Sequence, residues 1–449
     1  MPFKSKIGSF FILCVAVALP PFLSASNAHS ATVIRDTEIE NTIRAYSAPL
    51  LAAAGLEDEA FNIHIVRDRD LNAFVTRGQR LFITTGLLRR SVHAGQILGV
   101  MSHEIGHIAG GHLARLHGAL DKAGTVAFVT QILGLAAGIL ARDPGAAVAI
   151  AGGGNQVAER TFLNFSRGQE QAADQAGVRY MDKAGFSSKG MLEFLTILSG
   201  QEFLHTNRQD PYVLTHPLTR GRIRFVRHHV ENSPTSAYTV PAAFAETHRR
   251  MVAKLNGFID PPTTTLRRYK EDDGSISSRY ARAIAYFRRA DLTHGLPLID
   301  SLIAEEPKNP YFHELKAQLM FENGRMDVAL DSYKEATRLL PDAPLLRTSL
   351  AHVQLETNRQ ELVPDALRNA KEAIRVDRFV PLAWRLAGVA HGRMGDIGLS
   401  SWALAEYNLL IGRKKQAASL AKRAMRLLKK GDPAWIRAQD ITQQTDRKG

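Results

Sequence analysis

Two histidines and a glutamate within five consecutive residues have the types and the spacing that bind a metal ion and activate water. His103 and His107 are four positions apart in a segment with helical periodicity, so both rings lie on one helix face and can turn a nitrogen toward one ion. Glu104, next to the first histidine, can reach a water that attacks a substrate. This HExxH pattern also occurs by chance in unrelated helices, so it needs support from a third ligand.

A second acidic segment supplies that ligand. Glu170 and Asp174 are one turn apart on one face of a predicted helix. Glu170 completes a set of two histidines and one glutamate with an open fourth position, as in zinc hydrolases. Asp174 can hydrogen-bond a ligand imidazole and fix its tautomer. The alternative is an ordinary solvated helix face. We therefore expect one zinc ion per chain, although manganese and iron also accept such ligands.

Two residues farther along the chain are candidates for the same site. His216, in a Thr-His-Pro turn, could take the fourth metal position and hold the site latent; the alternative is a capped turn histidine. Arg222 could contact the site or a substrate oxyanion, or pair with a surface acid. A serine nucleophile is excluded because no GxSxG occurs, and the only cysteine is Cys14. The histidines to which we assign no role are His112, His117, His228 and His229.

Helices must position most of these side chains. Apolar residues at helical spacing predict an amphipathic helix from Ala31 to about Leu56. The two candidate ligand segments lie in predicted helices over about 94–116 and 169–184.

A small sheet lies between the first two of these helices. Alternation of apolar and polar residues predicts a strand over 62–66. A glycine-containing turn at 77–79 then joins two further strands in a hairpin that ends before Gly86. We expect an extended substrate to add itself as a strand along Arg80–Thr84.

The chain beyond about Pro241 is helical throughout and contains a 34-residue repeat. The small, glycine, aromatic and proline positions of a tetratricopeptide repeat (TPR) that begins at Pro310 are occupied by Ala317, Gly324, Ala329, Tyr333, Ala336 and Pro341. Small residues at these positions let paired helices pack closely, so stacked pairs bury a continuous core. A generic helical bundle is the alternative. The expected fold class is α+β and mostly helical: a domain with a small β-sheet, followed by an all-α TPR solenoid.

Length and charge narrow the class of protein. A chain of 449 residues predicts two or three domains. The net charge of +13 is compatible with lipid head groups or acidic partners. We expect no nucleic-acid partner, because no binding fold or aromatic-interleaved basic patch accompanies the charge.

The first 30 residues have the composition of a secretory signal. Lys4 and Lys6 precede an apolar run over 10–19, and small residues follow. An uncleaved anchor is the alternative, but the run is shorter than the roughly 20 residues that a spanning helix needs. We expect the mature chain to start near His29 or Ala31 and to contain no cysteine.

A second apolar segment, residues 125–151, leaves three interpretations open. Its two arms flank a turn at 142–145, and each arm is short for a membrane span. It could be a buried helix pair, an interfacial hairpin that gives peripheral membrane contact, or a transmembrane hairpin.

Several of these motifs together resemble a known family. The sequence is similar to the gluzincin-type peptidases that include HtpX and the CAAX prenyl proteases, and within them to BepA-like periplasmic zinc metalloproteases with C-terminal TPRs. The motifs that carry the resemblance are Leu71–Phe74, Thr85–Leu87, Ser102–His107, Glu170–Asp174, Thr215–Pro217 with Arg222, and the repeats.

The resemblance implies a zinc metalloendopeptidase. His103, His107 and Glu170 would bind zinc, and Glu104 would be the general base. The domains would be a signal peptide at 1–30, a metalloprotease domain at 31–232 and a TPR domain at 241–449.

The family further implies a role in outer-membrane quality control. Such enzymes degrade misfolded or stalled outer-membrane proteins, including β-barrel and lipopolysaccharide-transport proteins. The TPR groove would contact the β-barrel assembly machinery in a chaperone-like role. The alternative is a TPR adaptor whose protease site stays mostly latent.

Overall fold

The structure is a computed structural model that describes residues 32–76, 78–112, 156–200, 212 and 216–446. The expected signal peptide at 1–30 and the apolar segment 125–151 lie outside these residues. Over the described part of the chain, no helix combines the length and the apolar character needed to cross a bilayer.

A four-stranded sheet forms one side of the first half of the chain. Its strands are β1 (Thr32–Ile34), β2 (Asn62–Arg67), β3 (Ala73–Thr76) and β4 (Arg80–Thr84), and their order among the described residues is β1-β2-β4-β3. β3 and β4 pair antiparallel, which confirms the predicted hairpin. β4 also pairs with β2 in parallel, so the chain crosses over between them.

This strand order corrects the expected substrate position. Arg80–Thr84 is an inner strand with partners on both sides, so its main-chain groups are already paired and cannot accept an added strand. Sequence alternation identifies a strand but not its neighbours, because pairing depends on distant segments. β3, which packs against the next long helix, is an edge strand among the described residues.

Two of the sequence motifs fasten the hairpin at the end of β4. The Thr84 hydroxyl donates to the carbonyl of Asp70 at 2.7 Å and accepts from the backbone N–H of Asn72 at 3.0 Å. Just after β4, the backbone at Gly86 lies very close to the backbone at Arg69. A Cβ on Gly86 would be 2.2 Å from the carbonyl oxygen of Arg69, so only glycine fits there. The short helix α2 (Thr85–Arg90) therefore starts at a fixed place beside the sheet.

The core of the first half is built around one buried helix. This helix, α3 (Ala94–Ala109), packs against α1 (Thr37–Ala54), α4 (Gln156–Lys183) and α5 (Lys189–Ser199). Every residue from Ala94 to His107 is buried, so α3 has no solvated face. It ends at Ala109, before the end of its predicted periodic segment, because two glycines follow and the second has a left-handed φ of +61°.

Two further helices follow along the chain, α6 (Arg220–Asn232) and α7 (Ala242–Ile259), joined through a short 3-10 turn at Pro234–Ala237. The buried side chains of Met251 and Leu255 place α7 in the same hydrophobic core as α1 and α3.

Paired antiparallel helices make up the rest of the chain. They are α8 (Pro262–Arg268), α9 (Ile276–Phe287), α10 (Leu292–Glu305), α11 (Pro310–Glu322), α12 (Met326–Leu339), α13 (Pro344–Glu356), α14 (Val363–Val376), α15 (Pro381–Arg393), α16 (Ile397–Leu410), α17 (Lys414–Leu427) and α18 (Pro433–Asp446). The 34-residue unit is the α11–α12 pair. Its alanines at 317, 329 and 336 are fully buried, and Gly324 turns the chain with φ +72°. The expected fold class is therefore confirmed.

A buried group of charges joins the first half to the helical array. Lys254 on α7 lies 2.9 Å from Asp36 and 3.3 Å from Glu38, at the start of α1. From the array, the Tyr280 hydroxyl donates to Glu38 at 2.8 Å, and Glu314 lies 3.8 Å from the Lys254 ammonium. Lys254 thus faces three carboxylates, and Glu314 is the most distant of them. Glu38 has a second cation, because Arg250 lies 3.4 Å from it.

Because three carboxylates share the Lys254 ammonium, we expect the stability of the folded protein to depend on the ionisation of Glu314 and therefore on pH. Burial, opposed by Lys254 and reinforced by Asp36 and Glu38, raises the pKa of Glu314 to about 7. The folded protein holds this proton more tightly than the unfolded chain does. The resulting contribution to the free energy of unfolding is complete below about pH 4.5 and is lost as pH rises through about 7. We expect Glu314→Gln to raise the thermal unfolding midpoint relative to wild type at pH 8.5, with a gain on the order of 1 kcal/mol, and to change little at pH 4.5.

The matched control is Glu361→Gln, which removes an exposed carboxylate. It should shift the midpoint equally little at both pH values. A gain for Glu314→Gln that is the same at pH 4.5 and 8.5 would contradict this account.

Candidate metal centre

Close packing of α3 on α4 brings the two candidate ligand segments together. A Cβ built on Gly106, inside the HExxH motif, would lie 2.8 Å from the carbonyl oxygen of Ala173 on α4. On the facing side, a Cβ on Gly177 would lie 3.2 Å from the backbone nitrogen of His103. Glycine on each helix lets the backbones approach more closely than side chains would allow. The distance between the histidines and Glu170 is set by this contact.

We expect Gly106→Ala to impair the site although alanine favours helix formation. The added methyl would meet backbone atoms of α4, so the helix carrying Glu170 must move away. A shift of about 1 Å can lower activity by roughly a hundredfold. Metal content and peptidase rate would both fall.

Gly168→Ala, on the facing helix α4, is the control, because a Cβ there would have no neighbour within 4 Å. This variant should keep wild-type metal content and rate. Equal behaviour of the two variants would show that close approach at Gly106 is not needed.

The structure brings four predicted residues to one point. The Nε2 atoms of His103 and His107 lie 3.0 Å apart. Each is 3.3 Å from a different carboxylate oxygen of Glu170. With His216, these residues offer ligand atoms that all lie within 4.8 Å of one another, and all four residues are buried.

The donor set fits a bound cation. Two imidazole nitrogens converge with carboxylate oxygens, which matches the ligand types of zinc. Burial lowers the pKa of His107 to about 3, so its ring is neutral and can offer a lone pair. Three buried polar atoms nearby have no hydrogen-bond partner: Nε2 of His216 and both carboxylate oxygens of Glu104. Such atoms are costly unless something else satisfies them.

Glu104 lies inside this group and is fully buried. Its Oε1 is 3.4 Å from Nε2 of His216. Burial raises the pKa of Glu104 above its usual value, although His216 and His103 oppose the effect. A carboxylate with raised proton affinity, next to two ligand histidines, is suited to accept and return a proton.

Asp174 and Arg222 hold the proposed ligand residues in position through hydrogen bonds and ion pairs. Asp174 accepts a hydrogen bond from Nδ1 of His103 at 2.8 Å, which leaves Nε2 of that ring directed at Glu170. Arg222 donates to both oxygens of Asp174, at 2.6 and 2.9 Å, and its Nη1 is 2.9 Å from Glu170. Burial alone would raise the pKa of Asp174, but Arg222 outweighs it and lowers the value to about 2.

The position of Arg222 bears on its two expected roles. Its Nη1, which faces Glu170, also donates to the carbonyl oxygens of His216 and Pro217, at 3.4 and 3.1 Å. The guanidinium is thus engaged by the chain's own groups. This geometry favours contact with the site over contact with a substrate oxyanion.

His216 is held by an aromatic ring. Tyr212 stacks on it with ring centroids 4.4 Å apart and planes inclined by 26°. Its Nδ1 lies 3.2 Å from Glu170. Of the Thr-His-Pro turn, the threonine lies outside the described residues. Tyr212 and His216 are both buried, so the imidazole of His216 lies inside the site and not on the protein surface.

The sequence analysis missed one contact. His112, to which no role was assigned, places its Nδ1 2.9 Å from Nδ1 of His107 and so supports that ring as Asp174 supports His103. The signal in the sequence is the Gly110–Gly111 pair, which ends α3 and lets the chain fold back on the helix. His229 instead pairs with Asp182 at 2.9 Å. His228 is exposed, and His117 lies outside the described residues.

Known proteins resemble this chain in both parts. Residues 35–230 match the model of peptidase family M48. The putative beta-barrel assembly-enhancing protease of Vibrio cholerae is 26% identical over 412 residues, which covers 90% of this chain and 83% of that protein. The beta-barrel assembly-enhancing protease of Escherichia coli K12 is 25% identical over 407 residues, with 90% and 82% covered.

Shorter matches cover one part each. The mitochondrial metalloendopeptidase OMA1 of Bos taurus is 31% identical over 169 residues, 36% of this chain and 31% of that protein. The crystal structure of YrrB, a TPR protein, is 13% identical and covers 44% of this chain and 97% of that chain, with a TM-score of 0.33. The family match spans the HExxH helix, the helix of Glu170 and the turn of His216. Residues 35–230 therefore belong to peptidase family M48, and this chain is a metalloprotease.

Proposed function

We propose that the chain is a zinc-dependent endopeptidase in which His103, His107 and Glu170 hold the metal and Glu104 is the general base. The observation that carries this proposal is the convergence of these ligands from two helices, with ligand atoms within 4.8 Å of one another. Three nitrogen and oxygen ligands with one open position are the arrangement of catalytic zinc sites.

The mechanism follows from what each side chain can do. Zinc, when bound, supplies a Lewis acid that polarises a carbonyl and acidifies water. Glu104 would take the proton of the attacking water on a carboxylate oxygen and deliver it to the nitrogen of the leaving amine. Asp174 keeps His103 in the tautomer whose Nε2 faces the site, and Arg222 fixes Asp174 in turn.

We place the substrate along β3, in an extended conformation. β3 is an edge strand among the described residues and packs against α3, the helix of His103 and Glu104. Addition of a strand uses main-chain hydrogen bonds, so such a site selects extended backbone more than sequence. Unfolded β-rich chains fit this requirement.

The relatives suggest where such substrates come from. By analogy with the beta-barrel assembly-enhancing proteases, we propose that this enzyme degrades misfolded or stalled outer-membrane proteins in the periplasm. We expected the helical domain at 241–449 after a protease domain at 31–232, but α7 packs in the first core, so we assign the array to the helices from Pro262 onward. This array would bind substrate or the β-barrel assembly machinery. Export would use residues 1–30 as a cleaved signal peptide.

His216 adds regulation to this proposal. Its Nε2 is one of the three buried atoms at the site without a hydrogen-bond partner, and its Nδ1 faces Glu170. Such a histidine could fill the fourth metal position and keep the enzyme latent. We expect His216→Ala to raise the basal rate of casein cleavage and to leave metal content near one ion per chain.

The experiment that tests the function measures metal and cleavage together on the full purified chain. We expect about one zinc per chain. Removal of the metal with a chelator should abolish casein cleavage, and added zinc should restore it. A chain that binds no zinc after refolding with zinc present would overturn the proposal.

An adaptor role is the alternative, with the repeats active and the site latent. Expression of Glu104→Gln in a deletion strain separates the two. Failure to restore the strain supports the protease, whereas full restoration by the inactive variant would show that the array alone carries the function.

A further inference from the structure

A polybasic helix near the end of the array takes no part in the peptidase site. Helix α17 and its flanks contain eight cationic side chains and no acid between residues 411 and 431. These cations are Arg413, Lys414, Lys415, Lys422, Arg423, Arg426, Lys429 and Lys430. All eight are exposed, in a chain whose net charge is +13.

These eight cations have no ion-pair partner among the residues that the structure describes. Within the described residues, none of the eight makes an ion pair or a side-chain hydrogen bond. The neighbouring helix behaves differently, because Arg437 on α18 pairs with Glu406 at 2.6 Å. Elsewhere in the array some exposed basic residues have an acid beside them, as Arg338 has Glu335. What distinguishes α17 and its flanks is that eight such cations lie together with no acid among them.

The helix presents this charge directly away from the fold. Its buried face consists of Ala417, Ala421 and Ala424, which are fully buried. Lys415, Lys422 and Arg426 are separated by seven and four positions, so they form one line along the helix. At 100° per residue, that line is on the side opposite the buried alanines. We call these three residues the α17 stripe.

We propose that the α17 stripe docks the protein on a membrane surface rich in anionic phospholipid head groups. Clusters of four to eight cations on an amphipathic helix are attracted to such surfaces, and each cation near the surface increases binding roughly fivefold.

Other anionic partners fit this surface less well. No aromatic side chain lies in residues 411–430, so unpaired bases would find nothing to stack on. The cations stand on the outer side of one helix and do not line a cleft, so a single acidic peptide would meet only part of them. A flat, extended array of phosphates can meet the whole line at once.

This inference is independent of the peptidase site. The α17 stripe contains none of the proposed ligands or their supporting residues. It also does not use the apolar segment 125–151, for which peripheral membrane contact was an expectation from sequence.

The test is vesicle flotation of the full chain. Wild type is mixed with vesicles of phosphatidylcholine alone, or with about one third phosphatidylglycerol, at low and at high salt. We expect binding only to the anionic vesicles, and release at high salt because the interaction is screened. Neutralising the stripe by Lys415→Gln, Lys422→Gln and Arg426→Gln should weaken binding by at least about tenfold.

The matched control removes the same charge from another helix. Arg220, Arg224 and Arg227 on α6 are exposed and have no ion-pair partner among the described residues, and all three are changed to Gln. This control should bind anionic vesicles within about twofold of wild type, since it keeps the stripe. Casein cleavage by the stripe variant should equal that of wild type, which shows that the variant is folded and that its loss is specific to docking.

Three results would overturn the proposal. The first is wild type that does not float with anionic vesicles. The second is an equal loss for the stripe variant and the α6 control, which would show that total charge alone drives binding. The third is equal flotation with phosphatidylcholine, which would assign binding to apolar contacts.

Discussion

Glu104→Gln is expected to lower the rate of casein cleavage by about 10²- to 10⁴-fold while the protein remains folded and keeps its metal. The amide has nearly the size of the carboxylate but cannot accept the proton of the attacking water. Glu104 is not one of the three proposed ligands, and its two oxygens form no hydrogen bond that the substitution would break. The effect should therefore appear in kcat and leave zinc content unchanged.

Folding of this variant should be at least as robust as that of wild type. Burial raises the pKa of Glu104, so the charged carboxylate is disfavoured at this position and a neutral amide relieves that cost. Glu59→Gln, at an exposed carboxylate, is the control for the chemical change and should keep full activity. A Glu104→Gln enzyme that still cleaves casein at more than about a tenth of the wild-type rate would exclude Glu104 as the general base.

Arg222→Met is expected to produce the largest loss of stability. The guanidinium is 3% exposed and faces two buried carboxylates, those of Asp174 and Glu170. Removing one partner of a buried ion pair leaves the other charge uncompensated, which costs roughly 3–5 kcal/mol. The variant should unfold at a clearly lower temperature, and its metal affinity should fall about 10- to 100-fold because Asp174 no longer orients His103.

Two further variants serve as controls for this result. Arg224→Met removes an exposed arginine from the same helix and should change stability by less than about 0.5 kcal/mol. Arg222→Lys keeps the charge but not the forked geometry that donates to both oxygens of Asp174, so it should fall between wild type and Arg222→Met. If Arg222→Met and Arg224→Met unfold at the same temperature, Arg222 does not stabilise the buried carboxylates.

The roles in the proposed site rest partly on local sequence. The four-residue spacing of His103 and His107 puts both rings on one face of any helix, whatever surrounds it. The same holds for Glu170 and Asp174. The small residues of the α11–α12 pair also lie within one stretch of chain, and their burial follows from helix pairing between neighbours in sequence. Features of this kind need no knowledge of distant contacts.

Other features required the folded chain. Sequence alternation identified the Arg80–Thr84 strand but placed it at an edge, whereas pairing with β2 and β3 makes it internal. The support of His107 by His112 depends on a chain reversal after α3, and no spacing rule predicts it. The participation of α7 in the first core likewise depends on contacts with α1, about 200 residues earlier in the sequence.

The amino-acid sequence by itself determined which side chains can bind a metal and activate water, and which segments are helices, strands and repeats. Those properties depend on side-chain chemistry and on periodicity within a few residues. Only the tertiary structure decided that Glu170 meets the two histidines, that Arg222 pairs with two buried carboxylates, and that β3 and not β4 lies at an edge of the described sheet. These outcomes depend on the close approach of α3 and α4 at Gly106 and on strand pairing, which are set by contacts between residues far apart in the chain.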